Sequence, residues 1–176
     1  MNSPFANIFT ALQQQVQAQV PDIIYIDQDL GQLRTDKTNT RPPVQWPCLL
    51  IDFEDFNFAD MGSLVQSAEG TVVLRLGFAP YSSSAATTPT TYVQKAIGYY
   101  DVEWALHKAL QGWAPGTSYG SLTRIATATQ KRTDTIRVRE LRYRIAFQDY
   151  STKPVQQTVA ANIVVGVTLN EPVTIS

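Results

Sequence analysis

The sequence predicts an α+β fold: one mixed or antiparallel sheet with two helices packed on one face, a long C-terminal hairpin and an extra C-terminal strand. Three observations carry this expectation. Apolar residues recur at helical spacing in two stretches, near residues 5–16 and 93–110. Between and after them, several segments alternate apolar and polar residues with period two. The longest of these, 135–150, reads TIRVRELRYRIAFQDY and interleaves Arg137, Arg139, Arg142 and Arg144 with Leu141, Tyr143, Ile145 and Phe147. At about 3.3 Å per residue it approaches 50 Å, well beyond an ordinary strand.

Taken in order, Ser3–Pro4 opens the first helix with a hydroxyl N-cap and proline at the first helical position. Phe5, Ile8, Phe9, Leu12 and Val16 form its apolar stripe and leave the glutamines outside, and Val20–Pro21 ends it. Residues 23–27 (IIYID) read as a short β-branched strand. The stretch 28–47, punctuated by Gly31, Pro42, Pro43 and Pro47, is a long polar loop. Residues 48–56 and 70–80 are strands with no crossover helix between them, so they pair antiparallel, with 57–69 as their connection. After a Ser/Thr-rich loop, 92–111 is the second helix. Its two adjoining stripes (Tyr99, Val102, Glu103, Leu106, Leu110 and Val93, Ile97, Tyr100, Trp104) predict burial over a wide arc, and Gly112 is the expected C′ residue. Residues 122–131 and 135–150 form the hairpin. The expected domain is 1–153, and 154–176, rich in valine and threonine with Glu171 as its one charge, is an extension bearing a strand near 159–169.

Length and composition fit one globular domain with its own core: 176 residues, 44% hydrophobic and 16% charged. The net charge of -1 favours neither nucleic acid nor a membrane surface. No apolar run reaches the ~18 residues of a membrane span, and MNSPFANIF lacks a signal pattern, so the expectation is a protein made and folded in a cytoplasm. The balance conceals an asymmetry. Residues 121–153 hold eight basic side chains against three acids, whereas 22–60 hold eight acids against three basic residues. Such polarity suits head-to-tail contact between copies, or pairing of the charges within one sheet.

The chemistry-bearing residues are sparse. Asp52 and Glu54 share a strand face and Asp55 takes the other, with no histidine beside them, which is ordinary for the solvent face of a strand rather than a metal site. His107 is the only histidine and Cys48 the only cysteine; no Ser, Cys or Asp stands at triad spacing from His107, and Cys48 reads as a small buried hydrophobe. Glycines form no phosphate-binding loop or nucleophile elbow. The reading is a non-enzymatic chain without cofactor or metal. A deep polar pocket around His107 would favour the opposing reading, a small enzyme or ligand-binding domain.

The arginine strand changes parity near Glu140: Ile136 and Val138 face one side, Leu141 to Phe147 the other. Either a β-bulge lies there, or one half covers the chain's own core and the other a partner. Arginines lining a channel would also suit phosphates.

A short N-terminal amphipathic helix, strands, a long helix ending in a tryptophan-containing Gly/Pro loop, and a long hairpin closing with FQDYS together resemble the tail terminator (tail completion) proteins of long-tailed bacteriophages. The resemblance covers 5–151. It implies a hexameric ring that caps the tail tube, ends tube growth and provides the surface for joining to the head, with no enzyme activity and no cofactor. The implied partners are copies of this chain, the tail tube protein and the head–tail connector or neck protein, with DNA passing through the lumen without sequence specificity. The implied location is the virion tail at the neck. A connector or a tube subunit is the alternative. On this reading Arg137, Arg139, Arg142 and Arg144 serve intersubunit contact on a projecting hairpin, and Ile163, Val164, Val165 and Val167 add a strand to a neighbour's sheet.

Overall fold

A computed structural model of the chain describes residues 3–34, 43–79, 84–132 and 136–153; the extension with Ile163, Val165 and Val167 lies outside them. The fold is α+β. Its elements are α1 (Pro4–Gln19), β1 (Tyr25–Gln28), β2 (Cys48–Asp60), β3 (Gln66–Phe78), α2 (Thr90–Ile97), α3 (Tyr99–Leu110), β4 (Thr123–Gln130) and β5 (Arg137–Asp149). The sheet order is β1-β2-β3-β5-β4. β1 runs parallel to β2, and every other neighbouring pair is antiparallel, so the sheet is mixed.

Helices α1 and α3 pack on one face. Ile8, Leu12 and Val16 of α1 meet Leu106 and Leu110 of α3 over Leu49, Ile51, Val72, Leu74, Leu141, Tyr143 and Ile145, all buried. This is the period-3.6 stripe of each helix set onto the period-2 face of three strands. Phe5 anchors one end of the core, with ring centroids 5.3, 4.9 and 5.8 Å from Phe53, Phe56 and Phe147.

The opposite face carries a second, smaller core of Leu33, Val44, Cys48, Leu50 and Val138, with Tyr25, Trp46 and Ile136 against it. The loop between β1 and β2 therefore supplies apolar cover as well as the parallel connection. Cys48 is fully buried, as expected for a small hydrophobe, and burial pushes its thiol up to about 12.

Several expectations need correction. The strands β2 and β3 extend past the expected connection to a tight turn at 61–65, where Gly62, Ser63 and Leu64 all have positive φ. The extension was hidden because a register shift between Glu54 and Asn57 breaks the alternation that marks a strand. The second helix is divided at Gly98 into α2 and α3, since glycine lacks the side chain that favours continuing the helix. Its second stripe is not buried: Ile97, Tyr100 and Trp104 are 43%, 50% and 60% exposed. α1 covers the space beside the first stripe and nothing among the described residues covers the second. Ser3 makes no side-chain cap. The glutamines of α1 are not all outside, because Gln13 Nε2 donates to the Ile26 carbonyl and Gln15 Nε2 to the Ala109 carbonyl.

The 122–147 hairpin does not project. β5 pairs with β3 along its whole length without a register break, and β4 flanks its other edge, so it is an interior strand. No bulge lies at Glu140; the irregularity is in β4, between Arg124 and Ala126. The parity change has another cause. Val138 fills the second core while Leu141, Tyr143, Ile145 and Phe147 fill the first, so a regular strand is buried on both faces within one chain.

Gly70 of β3 is required by packing, since an added Cβ would stand 2.4 Å from Cγ of Phe56. Gly70→Ala is expected to cost about 1–3 kcal/mol of stability through overpacking. Urea unfolding should show a smaller cost in a Phe56→Ala background, and an equal cost in both would refute this cause.

Candidate interaction surfaces

The four arginines of β5 divide between the faces by parity. Arg137 and Arg139 lie on the helix face. Arg139 makes a two-pronged ion pair with the buried Glu103 of α3, Nε to Oε2 at 2.6 Å and Nη2 to Oε1 at 2.8 Å, and reaches Thr129 Oγ1 at 2.5 Å. This explains why a glutamate stands in the buried stripe of α3: it neutralises the arginine where α3 crosses β5. The Arg139 guanidinium pKa is raised, first by the hydrogen bond to Glu103. Arg137 stacks on Tyr99, with its guanidinium carbon 3.8 Å from the ring centre, and lies 5.6 Å from that of Tyr100. Burial raises the Tyr99 phenol.

Arg142 and Arg144 lie on the other face. There Arg75 of β3 and Arg142 share a carboxylate cluster. Arg75 is bonded to Asp29 and lies 3.2 Å from Glu54, 3.3 Å from Glu140 and 3.6 Å from Asp52. Arg142 meets Glu54 at 2.8 Å, Glu140 at 3.1 Å and Asp55 at 3.6 Å. Five carboxylates against two guanidiniums leave the cluster three charges negative. Desolvation pulls the Arg75 pKa down, but Asp29 and its acidic neighbours outweigh it and the net shift is upward. Asp55, expected on the opposite face from Glu54, is brought round by the irregularity in β2, where its φ is 58°.

The acidic first half and basic second half of the sequence thus meet inside the sheet. Arg137, Arg139 and Arg142 all have partners within the chain. Arg144 is the exception in degree: its side chain is 59% exposed and its nearest carboxylate, Glu69, is 3.6 Å away.

Among the described residues, two groups of large apolar side chains face solvent. One is the outer side of α2 and α3, with Tyr92, Ile97, Tyr100 and Trp104; the other is the β2–β3 turn region, with Phe58, Met61 and Leu64. Sequence reasoning assigned the first to the core and did not find the second. Alternation could not reveal it, because Phe58, Met61 and Leu64 flank a turn rather than share a strand face.

A cavity of about 690 Å³ lies beside this second surface, lined among others by Asn57, Ser67, Glu69, Thr117, Ser118 and Gln148. His107 does not line it. Its Nδ1 is 3.3 Å from the hydroxyl of Tyr143, whose phenol burial pushes up to about 12. Burial, with Arg124 nearby, lowers the His107 pKa. Among the described residues, no group of three or more His, Cys, Asp or Glu is placed to hold a metal ion, and no helix is long and apolar enough to cross a membrane.

No family model matches this chain, and no curated protein does. A chain in the solved virion of a native gene transfer agent (GTA) particle is similar to it at 12% identity and a TM-score of 0.49, over 85% of this chain and all of that one. A likeness of that degree fixes neither function nor partner.

Two outcomes test the pairings. Glu103→Ala leaves Arg139 under α3 without its carboxylate and should cost about 2–3 kcal/mol in urea unfolding. Because the His107 pKa is lowered in the folded state, the unfolded chain binds that proton more tightly. Stability from this group is therefore full above the ordinary value of 6.5 and falls as pH drops below it. Unfolding midpoints measured from pH 7 to 5 should fall less steeply in His107→Gln than in the parent.

Proposed function

We propose that this chain is a structural subunit of a phage-type virion, forming a ring that caps the tail tube, ends tail growth and joins tail to head. The observation that carries the reading is the exposed stripe of Ile97, Tyr100 and Trp104, extended by Tyr92. Large aromatic side chains aligned on one helical surface are what an assembling subunit buries against its neighbour. The order of elements read in the sequence, which resembles tail terminators, gives that neighbour its proposed identity: a second copy in a hexameric ring.

The proposed partners are six copies of the chain, the tail tube protein below and a neck or connector protein above, with DNA passing the lumen without sequence-specific contact. The location is the neck end of the tail, reached after assembly in the host cytoplasm. The role needs neither catalysis nor a cofactor. Arg144, the most exposed of the four β5 arginines, takes the polar contact on this reading. Arg137, Arg139 and Arg142 act by holding α3 and β2 in place behind the contact surface.

The test is assembly state. Purified full-length protein should give closed six-membered rings by electron microscopy and the matching mass by light scattering. Trp104→Glu with Tyr100→Glu should return it to monomer mass with an unchanged far-UV spectrum. Open stacks would point instead to a tube subunit, and a chain that stays monomeric at high concentration and never joins tail tubes would sink the ring reading.

A further inference from the structure

We propose that the outer edge of β4 accepts a strand from a second copy, and that the strand is residues 159–169 of that copy. The inference rests on the self-assembly reading above and specifies one of its contacts.

β4 ends the sheet, and among the described residues no strand pairs with its outer side. Which backbone groups it offers follows from the register. Ala146 O accepts from Gly120 N at 2.7 Å and Gln148 N donates to Ser118 O, so the even-numbered residues of β5 turn their backbone groups toward the β4 side. Their partners Ala126, Ala128 and Gln130 point inward. Thr127 and Thr129 therefore direct their N–H and C=O groups outward. Arg124 N, on the far side of the register shift, confirms the alternation: it turns away from β5 and donates to Gln111 Oε1 at 3.0 Å.

This edge lacks the usual protection against strand addition. It is eight residues long, contains no proline, and has one charge, Arg124, at its end. Ile125, at the register shift, is 51% exposed. By contrast β1, at the other edge, has only four residues.

The occupant follows from what the chain holds beyond Lys153. Residues 159–169 (VAANIVVGVTL) are β-branched and uncharged, so pairing them with a Thr/Ala edge strips water from no ionised group. The chain cannot easily reach its own edge. Thr152 Oγ1 donates to the Leu64 carbonyl at 2.7 Å, which fixes the exit beside the β2–β3 turn. From there the start of β4, opposite Arg144, lies about 17 Å along the strands and its outer neighbour about 14 Å across them, roughly 22 Å in all. The path must also round residues 117–120, which lie against β5. The seven Cα steps from Thr152 to Val159 span at most about 24 Å fully extended, so the direct path alone takes nearly all of that reach before the detour is counted. A neighbour's edge carries no such limit.

The experiment uses full-length chains, with the buried Cys48 left in place. One protein carries Thr127→Cys; its partners carry Ile163→Cys, Val165→Cys or Val167→Cys singly. Mixing and mild oxidation should link two different chains for at least one pair, seen as a dimer on a non-reducing gel. A dilute double variant that links within one chain would overturn the assignment to a second copy. No link at any of the three positions would overturn the strand addition. Thr127→Pro removes one outward N–H and spares the ladder to β5; it should weaken self-association roughly fivefold, the contribution of one net hydrogen bond, and unchanged association would count against the edge. Rings that form without cross-links defeat this contact alone, whereas a monomeric chain defeats the ring reading as well.

Discussion

The structure depends on the uninterrupted pairing of β3 with β5. Both strands are 13 residues long and they are paired from Gln66 with Asp149 to Phe78 with Arg137. Antiparallel register fixes which side chains share a face, and a slip of one residue would exchange the faces entirely. Held as it is, the pair sets Val72, Leu74, Leu141 and Tyr143 under the helices, and Arg75, Glu140 and Arg142 on the reverse. Both cores and the carboxylate cluster are consequences of this one ladder.

The charged groups reinforce it in two different ways. Glu103 and Arg139 form a largely buried pair that ties α3 to β5. Such a pair contributes modestly while intact, and its main effect is that breaking it strands a charge in a poorly solvated place. The cluster around Arg75 and Arg142 is more open, so solvent screens each pair. Its geometry still links the loop at Asp29, strand β2, strand β3 and strand β5 through two guanidiniums. A sheet braced on one face by packing and on the other by charge is a stiff platform for the contacts proposed at its edges and over its helices.

Those contacts lie where the chain's own packing ends. Once α1 and α3 cover the sheet, nothing among the described residues lies over α2 and the outer side of α3, and the aromatic residues there are exposed. The β2–β3 turn and the edge of β4 are likewise at the periphery. On the proposed reading as an assembly subunit, the sheet is complete internally and unfinished at its margins.

The sequence alone specifies the class of the fold, because period-3.6 and period-2 patterns are local properties of a chain. The stripe Ile8, Leu12, Val16 and the alternation in 70–78 and 137–149 needed no partner to be legible. It also determined Cys48 as buried and Gly112 as the residue that ends α3, where φ is +80°. What each face meets is set by packing between elements. The parity change at Glu140 looked the same whether a bulge, a second subunit or a second core lay behind it, and Leu33 and Val44 in a polar loop gave no sign that they form that core. The stripe of Ile97, Tyr100 and Trp104 reads in sequence like any buried helix face. Periodicity records that a face is apolar, and the cover is supplied by elements distant in the chain, so burial is a property of the packed whole.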